Sequence, residues 1–594
     1  MRKVNLKRYI TTLIALFLGL FLSNAQSVSD SLTFKLEQDS TDINAFENAA
    51  VNRNLFWKQE ALSNAGGAVQ KLSLEIPNIF SAFKTSGYDV YIANKKPFVY
   101  SHNYKFTQLD YKTTIEDGQY ISALHTQSFE KFSFGIFYQK LLSEGDFSRE
   151  RKDHVNTEFR INYHPKDKKY HSSFSLTHNV SKVQENGGFQ LDSIYTNQVV
   201  LSDKVVPIQL SQASNELKNT EYNWVNAYNF TVLDSLKVGL IAKSSFRKES
   251  EVYSDSDPMY IPNITGFTDD TPYYPNFYND STATSDSVGF TNLSQEVLLS
   301  TTYKSFELKP YAKVDYITYN LGFGKQSETA YRFGVYANGF NNKFKSHLAI
   351  KKRGDLATTG IEFNGHLAPL KFISFNLYYD EKAPDLFHLK YESNHFRWDN
   401  AFKRETHTRL DANLKVLRNT TLKAFYHRID GYIYLNENAI ASQTISDHST
   451  QGLELNSMIK KGKFTFSNQF LIQNTTGEYL QLPNFVGRIK LAYKNKMLGE
   501  ALVQPGIQLN YSSSFYAPKY MAPLSSFYYQ NTDKVGGAIL LDVFVNVKVA
   551  NFTFYGVFKN ILQNQMLNEN FASPSYVGPV QRFNFGLRWN FYDK

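Results

Sequence analysis

Cysteine is absent from all 594 residues. That excludes disulfide frameworks, thiolate metal sites, cysteine nucleophiles and the lipid-bearing cysteine of a lipoprotein. Tryptophan (4) and methionine (6) are scarce. Past the N-terminus no apolar run approaches the ~18 residues a membrane-crossing helix needs, which argues against a helical membrane protein. Mean hydropathy is −0.41, yet Phe, Tyr and Trp make up 15 % of the chain. Disordered chains are poor in aromatics, so the polar average is not a sign of disorder. Lys and Arg (64) outnumber Asp and Glu (55), for a net charge of +9.

The first residues read as an export signal. Arg2, Lys3, Lys7 and Arg8 precede an apolar stretch from Ile10 to Leu22, followed by Ser23-Asn24-Ala25. A basic start, a short apolar core and a small-x-small triplet predict cleavage after Ala25, so residues 1–25 are assigned to a signal peptide. Removing them takes away four basic residues and leaves about +5.

Beyond that segment the pattern has period two. Phe583, Phe585, Leu587, Trp589 and Phe591 share one face, and Asn584, Gly586, Arg588 and Asn590 share the other. Phe464, Phe466, Phe470 and Ile472 alternate with polar neighbours in the same way, as do Leu541, Val543, Val545, Val547 and Val549. Such alternation marks strands with one apolar and one polar face. The segments run about 10–14 residues, long enough to cross a bilayer at a tilt. The longest is predicted over 395–416, where Arg397, Lys403, Arg409 and Lys415 fall on a charged face.

The connectors alternate too. Short ones such as Ala550-Asn551 and Asp234-Ser235 separate longer ones such as 562–580, 435–449, 248–290 and 181–219. Short turns on one side and long loops on the other are expected of an outer-membrane barrel, with turns periplasmic and loops extracellular. The count is about 22 antiparallel strands (range 18–22) in an all-β transmembrane barrel spanning 101–594. Residues 26–100 lack a clean period and are assigned to a periplasmic lead-in or partial plug.

Several stretches resemble the "putative porin" family of outer-membrane β-barrels found in Bacteroidota. They are Phe106-Thr107-Gln108-Leu109-Asp110-Tyr111, Leu124-His125-Thr126-Gln127 and Gln184-Glu185-Asn186-Gly187-Gly188-Phe189. Tyr391-Glu392-Ser393-Asn394-His395-Phe396-Arg397-Trp398-Asp399-Asn400 and Phe585-Gly586-Leu587-Arg588-Trp589-Asn590-Phe591 complete the set. The resemblance implies an outer-membrane barrel in a Gram-negative envelope, without a defined substrate. The plug of energy-coupled receptors is, by what that family implies, longer than residues 26–100. The aromatic C-terminal strand, with Phe585, Leu587, Trp589 and Phe591, resembles the signal read by barrel-assembly machinery.

Residues 343–428 hold sixteen Lys/Arg against nine Asp/Glu. Lys345, His347, Lys351 and Arg353 share a face there; with Arg397, Lys403, Arg409 and Lys415 they are the predicted lumen-lining residues. A basic lumen favours anions, because charged rings set selectivity; cross-strand pairing with Asp399, Glu405 and Asp411 would cancel that bias. The acidic loop 248–290 is a solvated loop or a divalent-cation site near lipopolysaccharide, although no twelve-residue Ca²⁺ pattern is present. Ser393-Asn394-His395 brings a hydroxyl, an amide and an imidazole together, but on a strand Asn394 and His395 point apart. Nucleophile-elbow, zincin and P-loop motifs are all missing. The expectation is therefore a non-enzymatic protein without cofactor, metal or nucleic acid. It passes small hydrophilic solutes by passive diffusion; the alternative is a plugged barrel serving as a binding or scaffold partner.

Overall fold

The computed structural model describes residues 57–62, 65–74, 83–84, 86–92 and 105–593, the last with internal gaps at 114–117, 164, 166–168, 190–206, 234–235, 262–271, 355–358, 498, 564–570 and 579. The predicted signal peptide lies outside the described residues. Within them, 22 antiparallel strands close into one barrel, from Lys105–Thr113 to Arg582–Asp593. Each strand pairs with its sequence neighbours, and the first pairs with the last to shut the ring. No described helix is long and apolar enough to cross a membrane, which says nothing of strands.

The alternation in the sequence becomes an inside and an outside. On Phe344–Arg353, Leu348 and Ile350 are 38 % and 53 % exposed, whereas His347 and Arg353 are buried. Phe464, Phe466 and Ile472 likewise project outward. A belt of exposed Phe, Leu, Ile and Val is tolerable only if hydrocarbon covers it, as a lipid-facing surface requires. Trp589 stacks on Phe552 (ring centroids 4.8 Å) and lies near Phe591 (3.7 Å), extending that belt across the last strand.

Connections on one rim are only two residues at 304–305, 371–372, 418–419, 462–463 and 550–551. On the other rim they reach 185–213, 256–283, 383–404, 431–447, 513–538 and 560–581. Two predicted boundaries change. The strands Ser214–Leu233, Leu236–Asp255 and Thr284–Tyr303 are 20 residues each, so they absorb the ends of both predicted loops 181–219 and 248–290. Twenty residues at ~3.3 Å each span roughly 66 Å, well beyond a ~30 Å hydrocarbon layer even when tilted. Their outer ends stand in water, where the apolar face disappears and the sequence looks like loop.

The second change concerns 395–416. The wall strand is only Glu405–Leu417, and Arg397–Asp399 pairs with Lys390–Glu392 in a separate small hairpin. That hairpin buries Phe396 and Trp398 and exposes Arg397, so it mimics the alternation of a wall strand. Arg397 and Lys403 therefore belong to the loop 383–404 and not to the wall.

Three aromatic-rich clusters fill the barrel at its long-loop end. One joins Tyr88 and Tyr91 to Tyr253, Tyr520 and Tyr576. Another holds Phe83, Phe290, Phe387 and Trp398, and the third Leu72, Phe189, Phe515 and Phe571. Every cluster contains residues from 57–92, from the wall and from the loops.

Candidate functional site

The inward face is densely charged, and the charges are matched both along and across strands. Glu362, with no exposed surface, receives His347 (3.3 Å), Lys351 (3.4 Å) and Arg332 (3.9 Å). Lys351 also pairs with Asp380, and Arg353 with Glu328 at 3.2 Å. Asp411 holds Arg409 at 2.8 Å and Lys423 at 3.5 Å. Lys345 and Lys415 are exposed near the short-turn rim. Arg397 lies over the Tyr278 ring at 4.5 Å and pairs with Glu392 at 3.2 Å. Asp411 is one of the predicted counter-charges, whereas Glu328, Glu362 and Asp380 lie outside the predicted set. Those acids sit on neighbouring strands, and strand register is invisible until the strands are paired.

The described residues between 57 and 92 contact the inside of the barrel at several points. Lys84 makes a buried ion pair with Glu251 of the wall at 2.7 Å, and its ammonium lies 5.2 Å from the Phe387 ring. Leu74 O accepts from Arg409 (2.9 Å), and Leu72 O from Gln473 (2.8 Å). The Gly66 carbonyl meets His154 Nε2 at 2.8 Å, and Tyr91 stacks on that imidazole at 4.3 Å. Lys58 pairs with Glu454 at 3.1 Å. These partners come from strands on different sides of the ring, so the segment bridges the lumen.

Two of the stretches quoted for the family resemblance tie this closure together. In the first, Glu185 is the hub. Its Oε1 accepts from Tyr88 OH (3.0 Å), Tyr520 OH (2.9 Å) and Asn215 Nδ2 (2.9 Å), joining the lumenal segment, a loop and the wall. Asn186 Oδ1 accepts from Gly188 N at 2.9 Å, which closes a tight turn. Gly187 and Gly188 have φ of +70° and +86°, and a Cβ on Gly188 would stand 2.8 Å from Ser575 O. Only glycine fits that approach without strain. Phe189 follows, fully buried against Phe147 (4.8 Å).

The second stretch clamps the loop 383–404 to the loop 256–283. Asn394 N donates to Asp286 Oδ1 (3.0 Å), and its Oδ1 accepts from the backbone of Asn279 and Asp280 (2.9 and 3.0 Å). Its Nδ2 donates to Asp280 O (2.6 Å) and Thr284 Oγ1 (2.9 Å). His395 Nε2 meets the same Thr284 Oγ1 at 2.8 Å, its Nδ1 meets Asn276 O at 2.8 Å, and its ring stacks on Tyr274 at 3.7 Å. Asn394 and His395 thus converge, against the expectation for adjacent strand residues, because 393–396 is a turn. Both imidazole nitrogens are occupied, and Ser393 Oγ accepts from the backbone of Phe396 (3.0 Å), so the trio is a clamp. Of the acids predicted to line 248–290, Glu251 is committed to Lys84, and Asp255 accepts from Tyr274 OH. Among the described residues no three metal-ligating side chains gather.

Burial sets the protonation behaviour of the closure. It raises the Glu185 carboxyl above its ordinary range and lifts Glu60, on the lumenal segment, to about 7. A carboxyl raised on docking favours the docked, protonated form: its contribution is full below about 4.5 and is lost as pH rises through about 7. The segment is therefore expected to dock most tightly near pH 5 and to loosen toward pH 8. Discounting for partial solvent access, the change in protection is up to roughly tenfold. Burial lifts Asp89 of the same segment to about 7 as well, so limited proteolysis across that range measures the effect and the triple substitution Glu60→Gln, Asp89→Asn and Glu185→Gln should flatten the profile.

A closed 22-strand barrel with a lipid-facing outer belt and a charged interior defines an integral outer-membrane transport protein. The chain belongs to the family described as "Putative porin", which matches residues 28–593. Similar solved barrels include the ferric enterobactin receptor PfeA from Pseudomonas aeruginosa, at 10 % identity and TM-score 0.56, covering 82 % of this chain and 80 % of that one. The siderophore receptor PirA from Acinetobacter baumannii has 10 % identity and TM-score 0.56, covering 82 % and 81 %. The FrpB iron transporter from Neisseria meningitidis has the same identity and TM-score, covering 83 % and 81 %. At this identity the likeness is one of fold. No curated protein matches the sequence.

Proposed function

We propose that this protein is a stoppered diffusion channel for small hydrophilic solutes in the outer membrane of a Gram-negative cell. The supporting observation is the Lys84–Glu251 pair, because it fastens a segment outside the barrel strands to the inner wall. A charged, water-accessible lumen suits hydrophilic cargo. The many cross-strand pairs argue for a weaker anion bias than the basic count implies. Export through the predicted signal peptide, and insertion guided by the aromatic last strand, belong to this reading.

The test is planar-bilayer conductance of the refolded mature protein, with and without residues 26–100. The intact protein should be nearly silent, and the deletion should give stable steps at least tenfold more often. A second reading, a sealed barrel serving as a binding partner, draws on the aromatic clusters contributed by the loops themselves. A folded but silent deletion variant would favour it.

A further inference from the structure

The inner wall from Ser214–Leu233 round to Ile373–Lys382, together with the loop 383–404, lines a cavity of about 440 Å³. Nine lining residues are Lys or Arg and five are Asp or Glu; without Lys352, whose position alternates outward, eight basic residues remain. Two of the carboxylates that neutralise these bases stand outside the lining. Glu362 receives Lys351 from a fully buried position, and Glu328 takes Arg353 through its Nε. At this part of the wall a solute therefore meets the cationic layer first.

Arg353 and Arg404 both line this cavity. Arg353 is only 8 % exposed, and its Nη2 has no hydrogen-bond partner among the described residues. Arg404 Nη1 donates to Glu381 O at 3.2 Å. Burial first, and the nearby Arg353 charge second, lower the pKa of Arg404, so the two guanidiniums sense one another. Gly360 leaves room here, since a Cβ there would stand 2.6 Å from Glu381 O and 2.8 Å from Arg404 Nη1. Glu381 and Asp380 act on Arg404 with the opposite sign, while Asp380 also pairs with Lys351, and Asp385 with Lys382 at 3.2 Å.

We propose that this cavity binds small organic anions, with a carboxylate or phosphate group held between Arg353 and Arg404. Paired planar guanidiniums match such groups in geometry as well as charge. The volume suits a metabolite-sized molecule, within the ~300–1,000 Å³ common for ligand pockets. The site rests on the solute-channel reading and names the class of cargo.

Isothermal titration calorimetry on the full mature protein tests it, with succinate and inorganic phosphate as probes and sucrose as the uncharged control. At least one anion should bind, more weakly as salt rises, while sucrose gives no heat. Arg353→Gln combined with Arg404→Gln should weaken binding at least tenfold. That variant leaves Glu328 without its Arg353 partner, so heat-resistant migration on gels checks that it folds. Gly360→Ala is the second variant: it retains every charge but crowds Arg404 as well as Glu381 O, and should weaken binding several-fold while the barrel still migrates in its heat-resistant form. Absence of anion binding to the folded wild type, equal binding of sucrose, or unchanged affinity in both variants overturns the site. Calorimetry reads the closed protein, whereas conductance of the 26–100 deletion reads the channel, so either idea can fail without the other.

Discussion

Lys84→Met is expected to free the lumenal segment from the wall. Lys84 and Glu251 have side chains only 3 % and 8 % exposed, so losing the ammonium leaves a buried carboxylate without its partner. Breaking such a pair from one side costs about 3–5 kcal/mol, a shift of several hundred-fold or more in docking. Glu251→Leu added to Lys84→Met should recover most of that loss, because two apolar side chains can replace a buried pair at little cost. The chain contains no cysteine, so Ala68→Cys provides a clean reporter at a buried position of the same segment. Its thiol should react slowly with a water-soluble maleimide in the parent, at least a hundredfold faster with Lys84→Met, and slowly again in the double replacement. Equal rates in all three would mean that the pair does not hold the stopper.

Asn394→Ala carries the second large effect. The side chain accepts from two backbone amides and donates to Asp280 O and Thr284 Oγ1. Its loss strands polar groups of the loop 256–283 with nothing to replace their partners. At about 1 kcal/mol per bond, and more where a buried group is left unpaired, the clamp weakens by roughly 3–5 kcal/mol. Trypsin should then cut at Arg397 and Lys403 many times faster while the barrel stays intact on gels. His395→Phe retains a ring against Tyr274 and loses two hydrogen bonds, so its effect should be smaller. A cleavage rate unchanged by Asn394→Ala would show that the two loops hold without the clamp.

The barrel itself was open to sequence reasoning because lipid imposes a strict rule on every strand. Phe464, Phe466 and Ile472 must face outward, and their neighbours inward, so period two and the spacing of the turns carry most of the architecture. The rule ends where the membrane ends. Ser214–Asn219 and Lys248–Asp255 are wall strand with neither face apolar, and their polarity suggests loop. It is also not unique to the wall, since the hairpin holding Phe396 and Trp398 obeys it. The closure was legible only in part. Glu185 and Asn394 lie in the stretches quoted for the resemblance, but their partners Tyr88, Tyr520, Asp280 and Thr284 lie 97 to 335 residues away in sequence. Lys84 looks like any other lysine until Glu251 stands opposite it.

Closure of the ring by its first and last strands has a consequence for how the chain matures. Leu109 lies opposite Trp589, and Arg588 reaches Asp110 at 2.6 Å across a separation of 478 residues. No nascent chain can form that seam before its final dozen residues have emerged. Until then Lys105–Thr113 and its last available neighbour present open edges, which template unwanted pairing. Contacts of such long range also form slowly, because the loop they close is nearly the whole protein. The chain must therefore stay unzipped until its last strand is available, and the ring can shut only as a final step.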